Sequence, residues 1–264
     1  MADEAADVLA LALRLAREAG AIQRDRYETR LEIASKSGPI DLVTEVDRAC
    51  EAHLVAALRA ARPADDILAE EGGAHAESGA TWRWVIDPLD GTVNYAHAYP
   101  CFCVSIGVER DGVRTVGVVY DPLRDECFEA VRGRGARRNG RRIRVSEAKT
   151  VGAALLATGF AYDVRDSARD NLAEFTRAVK AAGGVRRDGS AALDLCYVAC
   201  GRFDGYWELK LHPWDVAAGI LIVEEAGGRV TDLAGGPVPP TGHEIASSNG
   251  AIHEELLRVL RGVV

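Results

Sequence analysis

The segment Asp87-Pro88-Leu89-Asp90-Gly91-Thr92 sets two carboxylates three residues apart, directly after the apolar run Trp84-Val85-Ile86. Paired acids at the end of a strand suit a hard divalent cation such as Mg2+, which takes oxygen ligands and keeps several waters. Pro88 restricts the backbone between the acids, and Thr92 adds a hydroxyl. These are parts for holding cations and orienting a water beside them. The same residue types also favour an ordinary turn, so the reading depends on which other acids can join them.

Three candidates stand out. Glu70, in Glu70-Glu71-Gly72-Gly73, follows the strand-like Ile67-Leu68-Ala69 and could point into the same crevice, or be a solvated loop acid. Asp215 opens the apolar helical segment Trp214 to Ala226. A first-turn acid complements the helix dipole, but a helix this apolar is expected to be buried, and a buried acid needs a partner. Asp47 lies three residues after Thr44, a capping-box spacing with Asp in place of Glu. It could equally take a proton from a hydroxyl or water. His212, before Pro213-Trp214-Asp215, could serve the site or simply pack.

The elements that must position these groups follow from periodicity. Val8, Leu11, Leu15, Ala19 and Ile22 predict a helix over 4–26. A polar loop, Ser35 to Ile40, precedes a helix from near Thr44 to before Pro63. Strands are expected at 66–69, 82–87, 103–108, 115–120 and 127–131, with hairpin turns at Asp111-Gly112 and Asn139-Gly140. The second of these is expected to lead into a strand at 143–145. After residue 150 strands and helices alternate: a strand at 155–157, a helix from Ser167 (as cap) to Ala182, a helix at 191–200, a strand at 204–209, a helix at 214–226 and a last helix at 252–260. The expectation is one domain, 1–264, with an α+β N-terminal subdomain (1–148) and an α/β C-terminal subdomain (149–264).

Four segments, in order and spacing, resemble the inositol monophosphatase family, within the wider lithium-sensitive, Mg2+-dependent phosphatase superfamily. They are Asp41-Leu42-Val43-Thr44-Glu45-Val46-Asp47, Glu70-Glu71, Trp84 through Tyr95, and Trp214-Asp215-Val216-Ala217-Ala218-Gly219 through Glu225-Ala226-Gly227-Gly228. The resemblance implies a layered αβαβα sandwich of the inositol monophosphatase and fructose-1,6-bisphosphatase type. It implies two or three Mg2+ ions per site. Glu70, Asp87 and the Leu89 carbonyl would hold the first, and Asp87, Asp90 and Asp215 the second, with Glu70 also serving a weaker third. It makes Thr92, backed by Asp47, the pair that orients and deprotonates the attacking water. It gives the phosphate to the Gly91 and Thr92 amides, and the polyol to Gly189, Ser190, Ala191 and Glu208 beside Asp90 and Asp215. Lys36 falls on a loop expected to close near the metals.

The implied activity is hydrolysis of inositol 1-monophosphate by direct attack of an activated water. Chemistry agrees: phosphate esters hydrolyse extremely slowly unaided, and charge neutralisation is the main task. No Gly-x-Ser-x-Gly turn offers a serine nucleophile. Histidinol phosphate and fructose 1,6-bisphosphate are the alternative substrates, because the superfamily acts on these too. Thr158 to Asp163, Arg186 to Ser190 and Lys210 depart from the animal pattern. The family also implies a homodimer.

The composition bounds the rest. The chain has 264 residues, a net charge of −8, 48% hydrophobic and 27% charged residues. That is ordinary for a soluble enzyme, and the negative charge argues against general attraction to nucleic acid. Seven arginines between Arg132 and Arg144 form either a binding patch or a solvated hairpin, the patch being the route to a non-catalytic macromolecular role. Six cysteines without a CxxC pair are expected to be reduced and mostly buried, rather than a zinc site at Cys101 and Cys103. The acidic, alanine-rich start and the lack of an apolar run of about 20 residues lead to the expectation of a cytoplasmic chain without a membrane partner.

Overall fold

The apolar stripe of the first segment closes into a long helix because it has a sheet to lie on. The computed structural model describes residues 2–36, 38, 40–75, 79–239 and 243–263. Its first half comprises α1 (Ala2–Arg26), β1 (Ile33–Ser35), β2 (Leu42–Thr44), α2 (Glu45–Ala61), β3 (Asp66–Ala69), β4 (Gly73–His75), β5 (Trp82–Asp90), α3 (Thr92–Ala96), β6 (Cys103–Arg110), β7 (Val113–Asp121), β8 (Glu126–Val131), β9 (Ala136–Arg138) and β10 (Arg141–Arg142). Its second half comprises β11 (Leu155–Thr158), α4 (Leu172–Ala181), β12 (Gly184–Arg186), α5 (Ala191–Ala199), β13 (Gly205–Leu211), α6 (Pro213–Glu225), β14 (Arg229–Thr231), β15 (His243–Ser248) and α7 (His253–Arg261).

Five layers result. Helices α1 and α2 cover one face of an eight-stranded sheet ordered β10-β9-β8-β7-β6-β5-β3-β4. Helices α5 and α6 lie between that sheet and a five-stranded one ordered β12-β11-β13-β15-β14, and α4 and α7 cover the outer face. This is the expected αβαβα sandwich. It explains why β6 and β7 are buried on both faces and do not alternate strictly between apolar and polar. Three apolar cores fill the spaces: one under α1 and α2, one around α5 and α6, and one under α4 and α7.

The middle layer sits unusually close to the first sheet. A Cβ on Gly107 of β6 would fall 2.6 Å from the Cβ of Ala217, and one on Gly117 of β7 would fall 2.8 Å from the carbonyl of Ala218. Two glycines therefore let α6 settle onto the strands, which brings its N-terminal acid, Asp215, down to the end of β5.

Several boundaries differ from the sequence reading. Helix α4 starts at Leu172, with Asn171 at φ +68° before it, and Ser167 is not its cap. The Ser167 hydroxyl instead faces Lys210 Nζ at 2.6 Å. The hairpin strand is Arg141–Arg142, paired with Arg137–Arg138, and 143–145 lies outside any strand. Strands β12, β14 and β15 form where the sequence reading placed none. Part of the 35–40 loop, Ser37 and Pro39, lies outside the described residues.

Candidate active site

Strand β5 does not stop before the acids; it carries them. Asp87 pairs with Ser105 and Asp90 with Cys103, so the strand has one residue too many across this interval. Such a bulge interrupts the alternation of faces. It lets two residues three apart lie on the same side, and it tolerates Pro88, which has no N–H for the ladder. The Asp87 carboxylate takes the Leu89 amide at 3.0 Å. From beneath, buried Gln23 of α1 donates to Pro88 O at 2.8 Å and to Cys103 O at 3.3 Å.

The neighbouring strand brings Glu70. Strand β3 is parallel to β5 with Ala69 opposite Ile86, so the next residues, Glu70 and Asp87, stand side by side. Glu70 also bonds Lys36 at 2.8 Å, and Lys36 pairs with Glu71 as well. Lys36 thus ties the loop after β1 to the turn after β3. Glu51 of α2 is a support the sequence reading missed: its carboxylate takes the Glu71 amide at 2.8 Å and anchors the turn.

Asp90 reaches the N-terminus of α5. Its Oδ2 accepts from Ser190 Oγ and from the Ala192 amide, both at 2.7 Å. The residues expected to line a polyol pocket, Gly189, Ser190 and Ala191, therefore adjoin a candidate metal ligand. Asn94 ties the same corner together, donating to Cys101 O and Asp188 O at 2.7 Å each. Asp215 occupies the first turn of α6, where its Oδ2 takes the His212 amide at 2.7 Å. The His212 ring stacks on Trp214, so its observed role is packing. Glu208, on β13, accepts a hydrogen bond from the Tyr206 hydroxyl at 2.5 Å.

Gly91 caps α3 at φ +98°, and a Cβ there would lie 2.8 Å from Cys101 O. Both the angle and the contact call for glycine. The turn delivers Thr92, whose Oγ1 lies 2.8 Å from Asp47 Oδ1 and 3.0 Å from Leu89 O. The capping box predicted around Asp47 is also present: Thr44 N and Oγ1 donate to Asp47 Oδ2 at 2.8 and 2.5 Å. Asp47 thus uses one oxygen to hold α2 and the other to face Thr92.

The electrostatics are those of crowded acids. Burial pushes the Glu70 carboxyl up to about 7 against the pull of Lys36. Burial, then the charges of Glu70, Asp90 and Asp215, raise Asp87 well above the usual carboxylate range. Burial and Asp90 do the same to Asp215. Burial also raises Asp90, against the donors from Ser190 and Ala192. Among the described residues only Glu70 of these four acids has an ion-pair partner. No three acidic, imidazole or thiol side chains among the described residues already close around one point. Each of the four instead keeps an oxygen on a nearby donor. The donor set is nonetheless all oxygen, anionic and largely buried, and this fits a hard divalent cation.

The family model for inositol monophosphatases matches residues 4–264. The chain belongs to the inositol monophosphatase family. It is 47% identical over 229 residues to the inositol-1-monophosphatase of Synechocystis, covering 87% of this chain and 80% of that one. It is 50% identical over 236 residues to the Nus factor SuhB of Pseudomonas aeruginosa, covering 86% of each. The inositol monophosphatase structure from Anabaena superposes with a TM-score of 0.88 at 45% identity, covering 98% of this chain and 96% of that one.

The remaining sequence candidates have other fates. All six cysteines are free, and all but half-buried Cys200 are buried. The arginine hairpin is partly neutralised: Arg132 pairs with Glu224 and Arg138 with Glu126. Among the described residues no helix is long and apolar enough to cross a membrane. The Gln23 role had a trace in the sequence, because a polar residue falls four after Ala19 on the buried stripe of α1.

Proposed function

We propose that the protein is a Mg2+-dependent phosphomonoesterase acting on inositol 1-monophosphate, releasing myo-inositol and phosphate. One observation carries the reading: Glu70 after β3, the Asp87–Asp90 bulge of β5, Asp215 of α6 and the Asp47–Thr92 pair of α2 and α3 gather around the end of β5. Glu70, Asp87, the Leu89 carbonyl, Asp90 and Asp215 are the groups to hold divalent ions, which neutralise phosphate charge and make a water more acidic.

The chain does the rest. Thr92 gives its proton to Asp47 Oδ1, which leaves its oxygen free to accept one from the attacking water. Burial holds the Asp47 carboxyl above its ordinary range despite the donors from Thr44, so it can take that proton. The Gly91 and Thr92 amides address the phosphate. The Glu208 carboxylate, with Gly189, Ser190 and Ala191 opposite it, takes the vicinal hydroxyls. Lys36 screens Glu70 while the substrate enters.

Hydrolysis of inositol 1-phosphate, histidinol phosphate and fructose 1,6-bisphosphate, compared by kcat/KM with Mg2+ present, tests the substrate. The inositol ester is expected to lead, and a lead by either of the others would replace it. A second reading, a macromolecular partner alongside catalysis, is favoured by the SuhB relative and the exposed arginines of the hairpin. Loss of the cellular phenotype in an Asp90→Asn variant would count against a partner role that is independent of catalysis.

A further inference from the structure

At the bulge of β5, Pro88 and Leu89 stand against Val104 alone, because Asp87 pairs with Ser105 and Asp90 with Cys103. A proline brings no N–H to the ladder. Donor hydrogens come from α1 instead. Gln23 is fully buried, and its Nε2 donates to Pro88 O at 2.8 Å and to Cys103 O at 3.3 Å. Two carbonyl acceptors on one nitrogen also decide which end of the amide is which. The helix is tied down at the same residue: the Tyr95 hydroxyl of α3 donates to the Gln23 main-chain carbonyl at 2.6 Å.

Pro88 O belongs to the same peptide unit as the Leu89 N–H, and that N–H donates to Asp87 Oδ1 at 3.0 Å. A peptide unit is planar and stiff, so holding its oxygen aims its hydrogen. A continuous chain thus runs from Gln23 Nε2 through one peptide to the carboxylate of Asp87, and hydrogen bonds in such a chain polarise one another. The other end of the Gln23 amide is not served. Its Oε1 is buried and has no hydrogen-bond partner among the described residues. A buried acceptor left unpaired costs stability. An apolar residue on this stripe would avoid that cost and forfeit the hold on Pro88 O. A local cost of this kind is commonest where a site demands it.

We propose that Gln23 is a positioning residue: through the Pro88–Leu89 peptide it fixes the direction of the Asp87 carboxylate, and so sets the affinity of the site for its divalent cations. The inference rests on the phosphatase reading above, in which Asp87 holds those ions. Groups that orient a metal ligand without touching the metal commonly change affinity by roughly 10–100-fold. Gln23 acts through one intervening peptide, so its effect is expected to be smaller.

The test measures binding of Mn2+, an oxygen-seeking octahedral stand-in for Mg2+, by the electron paramagnetic resonance of the free ion, and needs no turnover. Gln23→Met and Gln23→Leu keep the bulk and remove the donors. Both are expected to weaken Mn2+ binding roughly three- to tenfold. The Mg2+ concentration that half-activates phosphate release is expected to rise by a similar factor, with kcat at saturating Mg2+ much less changed. Leu15→Ala, on the same buried stripe of α1, is the control for mere destabilisation. It is expected to melt lower than wild type and to bind Mn2+ equally well. A wild type that binds no Mn2+ would overturn the metal-dependent reading and the inference with it. Unweakened Mn2+ binding in whichever Gln23 variant folds, or an equal loss in Leu15→Ala, would overturn the positioning role alone.

Discussion

Asp47 shows how one side chain can answer two sequence readings at once. Its Oδ2 closes the capping box with Thr44, and its Oδ1 meets Thr92 Oγ1. The two roles can be separated by mutating the partner and not the acid. Thr92→Ala leaves the cap intact and removes only the hydroxyl at the site. Its kcat for phosphate release is expected to fall by about 10²–10⁴-fold, with the melting temperature within a few degrees of wild type. An active Thr92→Ala enzyme would remove Thr92 from the proton path. The candidate acids were legible as residues because each borders an apolar run: Asp87 after Ile86, Glu70 after Ala69, and Asp215 in the first turn of a helix with hardly a polar residue. Gln23 left only the trace of a polar residue on an apolar stripe, and Glu51 left none. What each does depends on a backbone donor or acceptor far away in sequence, Pro88 O for one and the Glu71 amide for the other.

At the level of elements, the site depends on how closely α6 lies on the first sheet. A glycine inside a strand ordinarily weakens it, and only the packing shows that Gly107 and Gly117 make room for Ala217 and Ala218. Gly107→Ala is expected to lift the helix and move Asp215. The loss of stability should be about 1–3 kcal/mol by denaturant titration, the usual cost of overpacking. Catalysis should fall further than that loss of stability accounts for. A variant with full kcat and the same stability would show that this close approach is dispensable. The long helices and the β6–β7 hairpin were legible because their patterns are local. The strands β12, β14 and β15 were not. Strands β12 and β14 are three residues each, and β15 is defined by the partners it finds from 205 and 229 onwards. The start of α4 was misplaced for a related reason. Ser167 has the chemistry of a cap, but Lys210 claims its hydroxyl.

Across the whole molecule, stability has its own acid limit, set far from the carboxylates. His253 is buried in the outer layer, between Thr231 Oγ1 and Ser248 Oγ at 2.9 Å each. Burial lowers its pKa from the ordinary 6.5 to about 4. Between those values the unfolded chain binds a proton that the folded chain refuses, so stability falls as the pH falls from about 6.5 to about 4. Thermal melts across that window are expected to show a slope that His253→Asn flattens; equal slopes would assign the acid sensitivity elsewhere. The catalytic claim belongs to this scale too, because its acids come from both halves of the chain and meet only when the layers stack. It is tested most directly by phosphate release from inositol 1-phosphate after treatment with EDTA and again after Mg2+ is restored. Wild type is expected to fall silent and recover, while Asp90→Asn stays at least about 10²-fold down at saturating Mg2+. Full turnover in EDTA, or an Asp90→Asn variant as active as wild type, would contradict the account.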